Sequence, residues 1–241
     1  LIILIPFWKF KIPEKKYLQP LFAFSISMGV LVYVFMNLSL KYSDFISPII
    51  IGSQLAIPFG VLASSLMIGE NISLKKWFFV FTAFMGIVIV FFDPTLKNNL
   101  LGLFYATLMA FFFALAQVYS RKLRDLNIAT INAFTGVFGF FILILISFFI
   151  EGNILKNIIN INSESWLLIG YQAVIVSLFA HMSMFYLYKF YTVGRIFPFY
   201  SLFPIFGIIL TFLIFGEVPT IMFLVGGIIV ISSVILLQKK D

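Results

Sequence analysis

Long runs of continuously apolar residues alternate along this chain with short polar breaks, and inside the runs the apolar residues do not alternate with a period of two. That pattern predicts spanning helices and not the strands of a membrane barrel. A spanning helix needs about 20 apolar residues at 1.5 Å rise each. Eight runs are long enough: 18–40, 45–68, 77–92, 100–118, 128–149, 166–190, 196–215 and 220–237. The run 77–92 is short, and Lys75 and Lys76 in front of it are placed to snorkel to the interface. The opening run 1–10 is too short to cross. It reads as the tail of a helix that starts upstream, in preference to a signal peptide, because no small-residue cleavage site follows it. Turn-forming residues mark the breaks: Tyr42-Ser43-Asp44, Asp93-Pro94, Asn98-Asn99 and Gly152-Asn153. None of the breaks has room for a separate catalytic domain.

Composition strengthens this reading. Hydrophobic residues make up 62% of the chain and charged residues 10%, against about 25% charged in soluble domains. One shell of polar residues could not cover so much apolar surface, so lipid is the expected solvent. There is no cysteine, hence no disulfide framework and no thiolate metal site. The net charge of +7 would suggest nucleic acid only if it gathered on a soluble face, and here the basic residues lie between apolar runs. One set of alternate loops holds thirteen of the sixteen, including Lys15, Lys16, Lys75, Lys76, Arg121 and Lys122; the other holds only Lys41, Lys97 and Lys156. The positive-inside rule puts the first set, and the C-terminus, in the cytoplasm.

An internal repeat is visible at a constant offset of 147. The stretch from Ile57-Pro58-Phe59-Gly60 to Gly69-Glu70 aligns with that from Pro204-Ile205-Phe206-Gly207 to Gly216-Glu217. The charge count puts the two Gly-Glu pairs on opposite sides of the membrane, so the copies are inverted. Inverted repeats with a site near the midplane recur in secondary transporters.

These residues also carry a resemblance. The segments Met67-Ile68-Gly69-Glu70 and Ile214-Phe215-Gly216-Glu217 resemble the Leu-Gly-Glu ends of the fourth and ninth helices of EamA-type transporters, in the drug/metabolite transporter superfamily. The stretch 195–207, with Pro198, Tyr200 and Pro204, is similar to the ninth helix of the amino-acid-metabolite exporters in that family. The stretch 99–124, with Gly102 and Arg121-Lys122, is similar to the sixth. The resemblance covers essentially the whole chain. It implies a ten-helix fold of two inverted five-helix halves with both ends in the cytoplasm. Residues 1–95 would then be the remainder of the first repeat (the end of helix two and helices three to five), and 96–241 the second repeat. About sixty residues, enough for two helices, would precede Leu1. The expected fold is therefore an all-α membrane protein with eight transmembrane helices and a partial one before them.

Polar groups in hydrocarbon are costly, so those at mid-helix are the candidates for chemistry. Gln54 lies near the middle of 45–68, after Ser53 and before Pro58. A proline at that depth frees a carbonyl and bends the helix. Gln54 can offer its amide to a polar solute or act as glue between helices, and the resembling exporters also carry glutamine here. His181, the single histidine, lies about halfway along 166–190 with Ser177 one turn before it. It can relay a proton or bind a substrate carboxylate, or bond Ser177 or a neighbouring carbonyl. Tyr200 stands between the helix-bending Pro198 and Pro204, in the helix that resembles the cavity-lining ninth. Glu70 and Glu217, beside glycines at helix ends, read as caps on neighbouring helices or as gates.

No phosphate-binding glycine loop, metal-ligand cluster or set of nucleophile, base and acid is found, so no enzyme activity, cofactor or metal is expected. The expected function is secondary transport, exporting small polar metabolites such as amino acids or their derivatives across a bacterial inner (plasma) membrane by alternating access. Proton coupling and a homodimer both remain open. The alternatives are an importer or lipid-linked-sugar flippase of the same fold, or a non-transporting membrane scaffold.

Overall fold

A computed structural model describes residues 13–69, 71–152, 158–175 and 203–238, and among these every regular element is helical. The first span, Lys15–Lys41, consists of α1 (Lys15–Ile26), a π turn at Ser27–Leu31 and α2 (Val32–Lys41). The second span is broken into α3 (Ser47–Ser53) and α4 (Ala56–Ile68). Then follow α5 (Leu74–Phe91), a 3-10 turn at Pro94–Asn99, α6 (Leu100–Lys122), α7 (Ile128–Glu151), α8 (Ser163–Tyr171), α9 (Phe203–Phe215) and α10 (Ile221–Gln238).

Six of these stretches are long and apolar enough to cross a membrane: Lys15–Lys41, Ser47–Ile68, Leu74–Phe91, Pro94–Lys122, Ile128–Ile150 and Ile221–Gln238. The chain is thus an integral, multi-pass membrane protein. The six fall on six of the eight expected runs. The run 166–190 is described only as far as residue 175, and 196–215 only from α9 onward. The run expected to be short, 77–92, begins earlier as α5, because Ser73 caps it in an extended conformation and its backbone carbonyl accepts from Trp77 N–H at 3.1 Å. Lys75 and Lys76 lie in its first turn, so hydropathy alone cut the helix at its charges.

The chain groups into two compact units, Leu1–Ile142 with Ser201–Asp241, and Leu143–Tyr200. The boundary expected at 95/96 falls inside the first unit. In the second unit, Asn162 caps α8 by accepting from Ser165 N–H at 2.8 Å.

Within the first unit α6 is the hub, packed against α1, α2, α3 and α4. Its sequence explains why. Gly102, Ala106, Ala110, Ala114 and Val118 recur every fourth residue, forming one buried stripe of small side chains along the helix. Small residues let neighbouring backbones come close, which is what holds helices together where lipid removes the hydrophobic drive.

The tightest seam joins α5 to α10. Both are 18 residues long, and adding the repeat offset of 147 to the bounds of α5 gives those of α10. They run antiparallel: Thr82 Oγ1 lies 2.8 Å from Ser233 Oγ at one end, and Asp93 bonds Thr220 at the other. Between them Gly86 meets Gly226, where a Cβ on Gly226 would stand 2.6 Å from the Gly86 carbonyl oxygen. The same offset relates α4 to α9, each 13 residues long and each ended by a glycine in the left-handed region, Gly69 at φ 73° and Gly216 at φ 68°. The repeat seen in the sequence thus reappears as equal helices with equal terminators.

Because the obstruction at Gly226 is backbone, no rotamer change relieves it. Gly226→Val is expected to cost about 1–3 kcal/mol through overpacking, read as a lower unfolding temperature in detergent. Gly60→Ala, where a Cβ meets nothing within 4 Å, is expected not to lower it.

Candidate functional site

Pro58 decides the shape of the second span. It has no N–H to offer the carbonyl of Gln54, four residues earlier, and its ring crowds that carbonyl. The chain answers with three tighter bonds, each reaching back three residues: Gln54 N–H to Ile51 at 3.1 Å, Leu55 N–H to Gly52 at 3.2 Å, and Ile57 N–H to Gln54 at 3.2 Å. Regular bonding resumes with Phe59 N–H to Leu55 at 2.9 Å. A tight turn inside a spanning helix marks a functional hinge or a strained sequence.

Gln54 sits in this turn, and its side chain is buried at 8% exposure. Among the described residues its one hydrogen bond is long, from Nε2 to Ser53 Oγ at 3.4 Å. Ser53 in turn donates to its own helix, to the Ile50 carbonyl at 2.7 Å. The helix is held against α6 here, with a Cβ on Gly52 meeting Leu103 Cδ1 at 3.0 Å and Ala106 Cβ at 3.1 Å. An amide held in a broken helix with so little bonding to the described residues has hydrogen-bonding capacity to spare.

A second polar group gathers at the basic-poor ends of the helices. The Glu217 carboxylate accepts from Ile46 N–H at 2.7 Å, Ser47 N–H at 2.9 Å and Ser47 Oγ at 2.5 Å. Ser47 Oγ lies 2.7 Å from Thr211 Oγ1. Asn99 Oδ1 accepts from Ser43 Oγ at 3.0 Å and from the N–H groups of Phe45, at 3.3 Å, and Asp44. Asp93 takes the hydroxyls of Thr95, at 2.7 Å, and Thr220. Three buried acceptors thus tie the loops 41–46, 92–99 and 216–220 to one another. A cavity of about 470 Å³ opens beside Glu217, walled in part by Ser43, Asp44 and Phe215. At the opposite, basic end, a cavity of about 560 Å³ is walled in part by Lys16, Tyr17, Tyr119, Lys122 and Asp125.

Of the residues singled out from sequence, Gln54, Ser53 and Pro58 come together in the broken turn. Glu217 joins the polar group at the helix ends. Pro204 is buried in the first described turn of α9. Glu70, Ser177, His181, Pro198 and Tyr200 lie outside the described residues. Ser47, Asp93, Asn99, Thr211 and Thr220 were not singled out, although Ser47-Pro48 at the head of an apolar run is a helix-start signature. Among the described residues no three His, Asp or Glu side chains are grouped as metal ligands would be.

A model of the EamA-like transporter family matches residues 100–238, from the start of α6 to the end of α10. That is more than half of the 241 residues. No curated protein matches the chain.

Burial is the largest single influence on Asp93 and raises its pKa, but the hydrogen bonds from Thr220, Thr95 and Phe223 outweigh it and hold the carboxyl below its ordinary value. A group whose folded-state pKa is lowered adds stability above its unfolded value, near pH 4, and loses it as pH falls through the folded value. Asp93→Asn is therefore expected to flatten the acid limb of a plot of unfolding temperature against pH below about pH 4.

Proposed function

The chain belongs to the EamA-like transporter family, a family of transporters and not of enzymes in the drug/metabolite transporter superfamily, and we propose that it exports small polar metabolites, amino acids or their derivatives, by alternating access. The observation that carries this reading is the broken turn at Ser53-Gln54-Leu55. A 3-10 turn inside a spanning helix marks a functional hinge or a strained sequence, and broken helices with polar groups at the break are where transporters hold their solutes. A zwitterion needs both a donor and an acceptor, and the Gln54 amide offers both. Ser53 stands beside it. Tyr200, His181 and Ser177 join the proposed site from their sequence positions alone.

The antiparallel pairing of α5 with α10 supports the alternating-access part of the proposal, because two inverted halves can exchange roles across a fixed seam. The thirteen-to-three split of basic residues supports a cytoplasmic C-terminus; the bacterial inner membrane is part of the proposal.

The test is efflux from cells producing the protein from its whole gene and preloaded with labelled amino acids and derivatives. Faster efflux of particular compounds is expected. Gln54→Leu, present in the membrane at the normal level, is expected to lower that efflux at least about tenfold, the effect of leaving a solute's polar group unpaired. Unchanged efflux in Gln54→Leu would sink the site. No efflux across the panel would sink the substrate class and bring import or lipid-linked sugars forward.

A further inference from the structure

The bonds made by Glu217 join two helices that belong to different copies of the repeat. At its N-terminal end α3 offers two backbone N–H groups and the Ser47 hydroxyl, and α9 ends in the left-handed turn at Gly216 that carries Glu217 to them. One turn back along α9, Thr211 Oγ1 reaches Ser47 Oγ at 2.7 Å. Further along, Gly207 lies against Ile50, where a Cβ would stand 2.8 Å from Ile50 Cδ1. These three contacts run in opposite directions on the two helices, so α9 descends antiparallel to α3 and closes on it from the basic-poor end.

We infer that Glu217, Ser47 and Thr211 form the outer gate of the transport path, a polar latch that breaks when α3 and α9 part. The inference rests on the transport reading above and assigns it a moving part. The chemistry separates this contact from that between α5 and α10, another of the contacts between repeats. Along the α5–α10 seam, glycine backbones interlock and leave no room to slide. At Glu217 the join is made of hydrogen bonds between groups at a helix end, beside a cavity of about 470 Å³. Each of them finds an equivalent partner in water when the helices part: the carboxylate is rehydrated and so are the N–H groups of Ile46 and Ser47. Thr211 has a fallback in its own helix, because its hydroxyl also reaches the Ile208 carbonyl at 2.9 Å. A contact whose bonds water can replace one for one is able to open and close, which is what a gate requires.

These 241 residues contain no cysteine, so once any cysteine elsewhere in the gene is replaced by serine, an introduced thiol is read without background. Ile50→Cys is placed behind the latch, and its labelling by a membrane-impermeant maleimide added outside is followed in spheroplasts. Adding Glu217→Gln, or Thr211→Val, is expected to raise the labelling rate at least threefold. In a second arm, Ser47→Cys with Thr211→Cys is oxidised to a disulfide; efflux is expected to fall to background and to return with a reductant. Unchanged labelling in both latch variants, with or without a drop in unfolding temperature, would make Glu217 a structural cap and overturn the gate. So would full efflux with the disulfide formed. The labelling arm needs no substrate, so failure of the efflux panel leaves it readable.

Discussion

Hydrocarbon offers no hydrogen bonds, so every backbone N–H and C=O at membrane depth must be satisfied by the protein itself. The described part of this chain follows from that constraint. It explains why the apolar runs become helices, and why polar side chains in α2, α4 and α6 turn back on their own backbone, as Ser39 does to the Met36 carbonyl, Ser64 to the Val61 carbonyl and Thr107 to the Leu103 carbonyl. It also explains why a break in a spanning helix carries information. The break at residues 53–55 exists because Pro58 cannot serve the Gln54 carbonyl. It is tolerated because tighter bonds take over within one turn and because α6 presents a stripe of small residues against which the turn can rest.

Much of this was legible in the sequence, and the reason is period. Continuous apolar runs and their flanking lysines mark helices locally, and six of the expected spans stand in the structure with shifted ends. The Gly-Glu repeat marked helix ends, and both described glycines take the left-handed turn that a helix terminator needs. Pro58 marked the bend. Hydropathy could not show that 45–68 is two helices, because the two polar residues at the turn, Ser53 and Gln54, leave the run's average apolar and a tight turn interrupts it by less than one helical turn. The polar ties at the helix ends were illegible for a different reason. Ser47 and Thr211 are 164 residues apart, and Asp93 and Thr220 are 127 apart; no local pattern joins them. Each looked like an ordinary loop or helix-end residue until the antiparallel pairing of repeats brought it to its partner.

That pairing gives two of the contacts between repeats different characters. In α5 and α10, small residues at the crossing put backbone against backbone, and dispersion contacts over closely fitted surfaces resist any displacement. Between α3 and α9 directed bonds gather at one end, and Gly207 packs against Ile50 further along. The sequence builds the first with glycine at 86 and 226 and the second with serine, threonine and glutamate, and the proposed alternating access would use the first as a fixed seam and the second as a moving one.

The offset of 147 carries this one step further. It maps Thr211 onto Ser64, and both are buried hydroxyls that reach the carbonyl three residues before them, Ile208 for one and Val61 for the other. A hydroxyl bonded to its own helix is satisfied in hydrocarbon and still able to take a partner from a neighbouring helix, so it tolerates both the closed and the open condition of the end where it sits. The same arrangement at equivalent points of inverted copies equips opposite ends of the spans with the same tolerance. An alternating cycle demands this equivalence, since the cost of opening one end has to be close to the gain from closing the other.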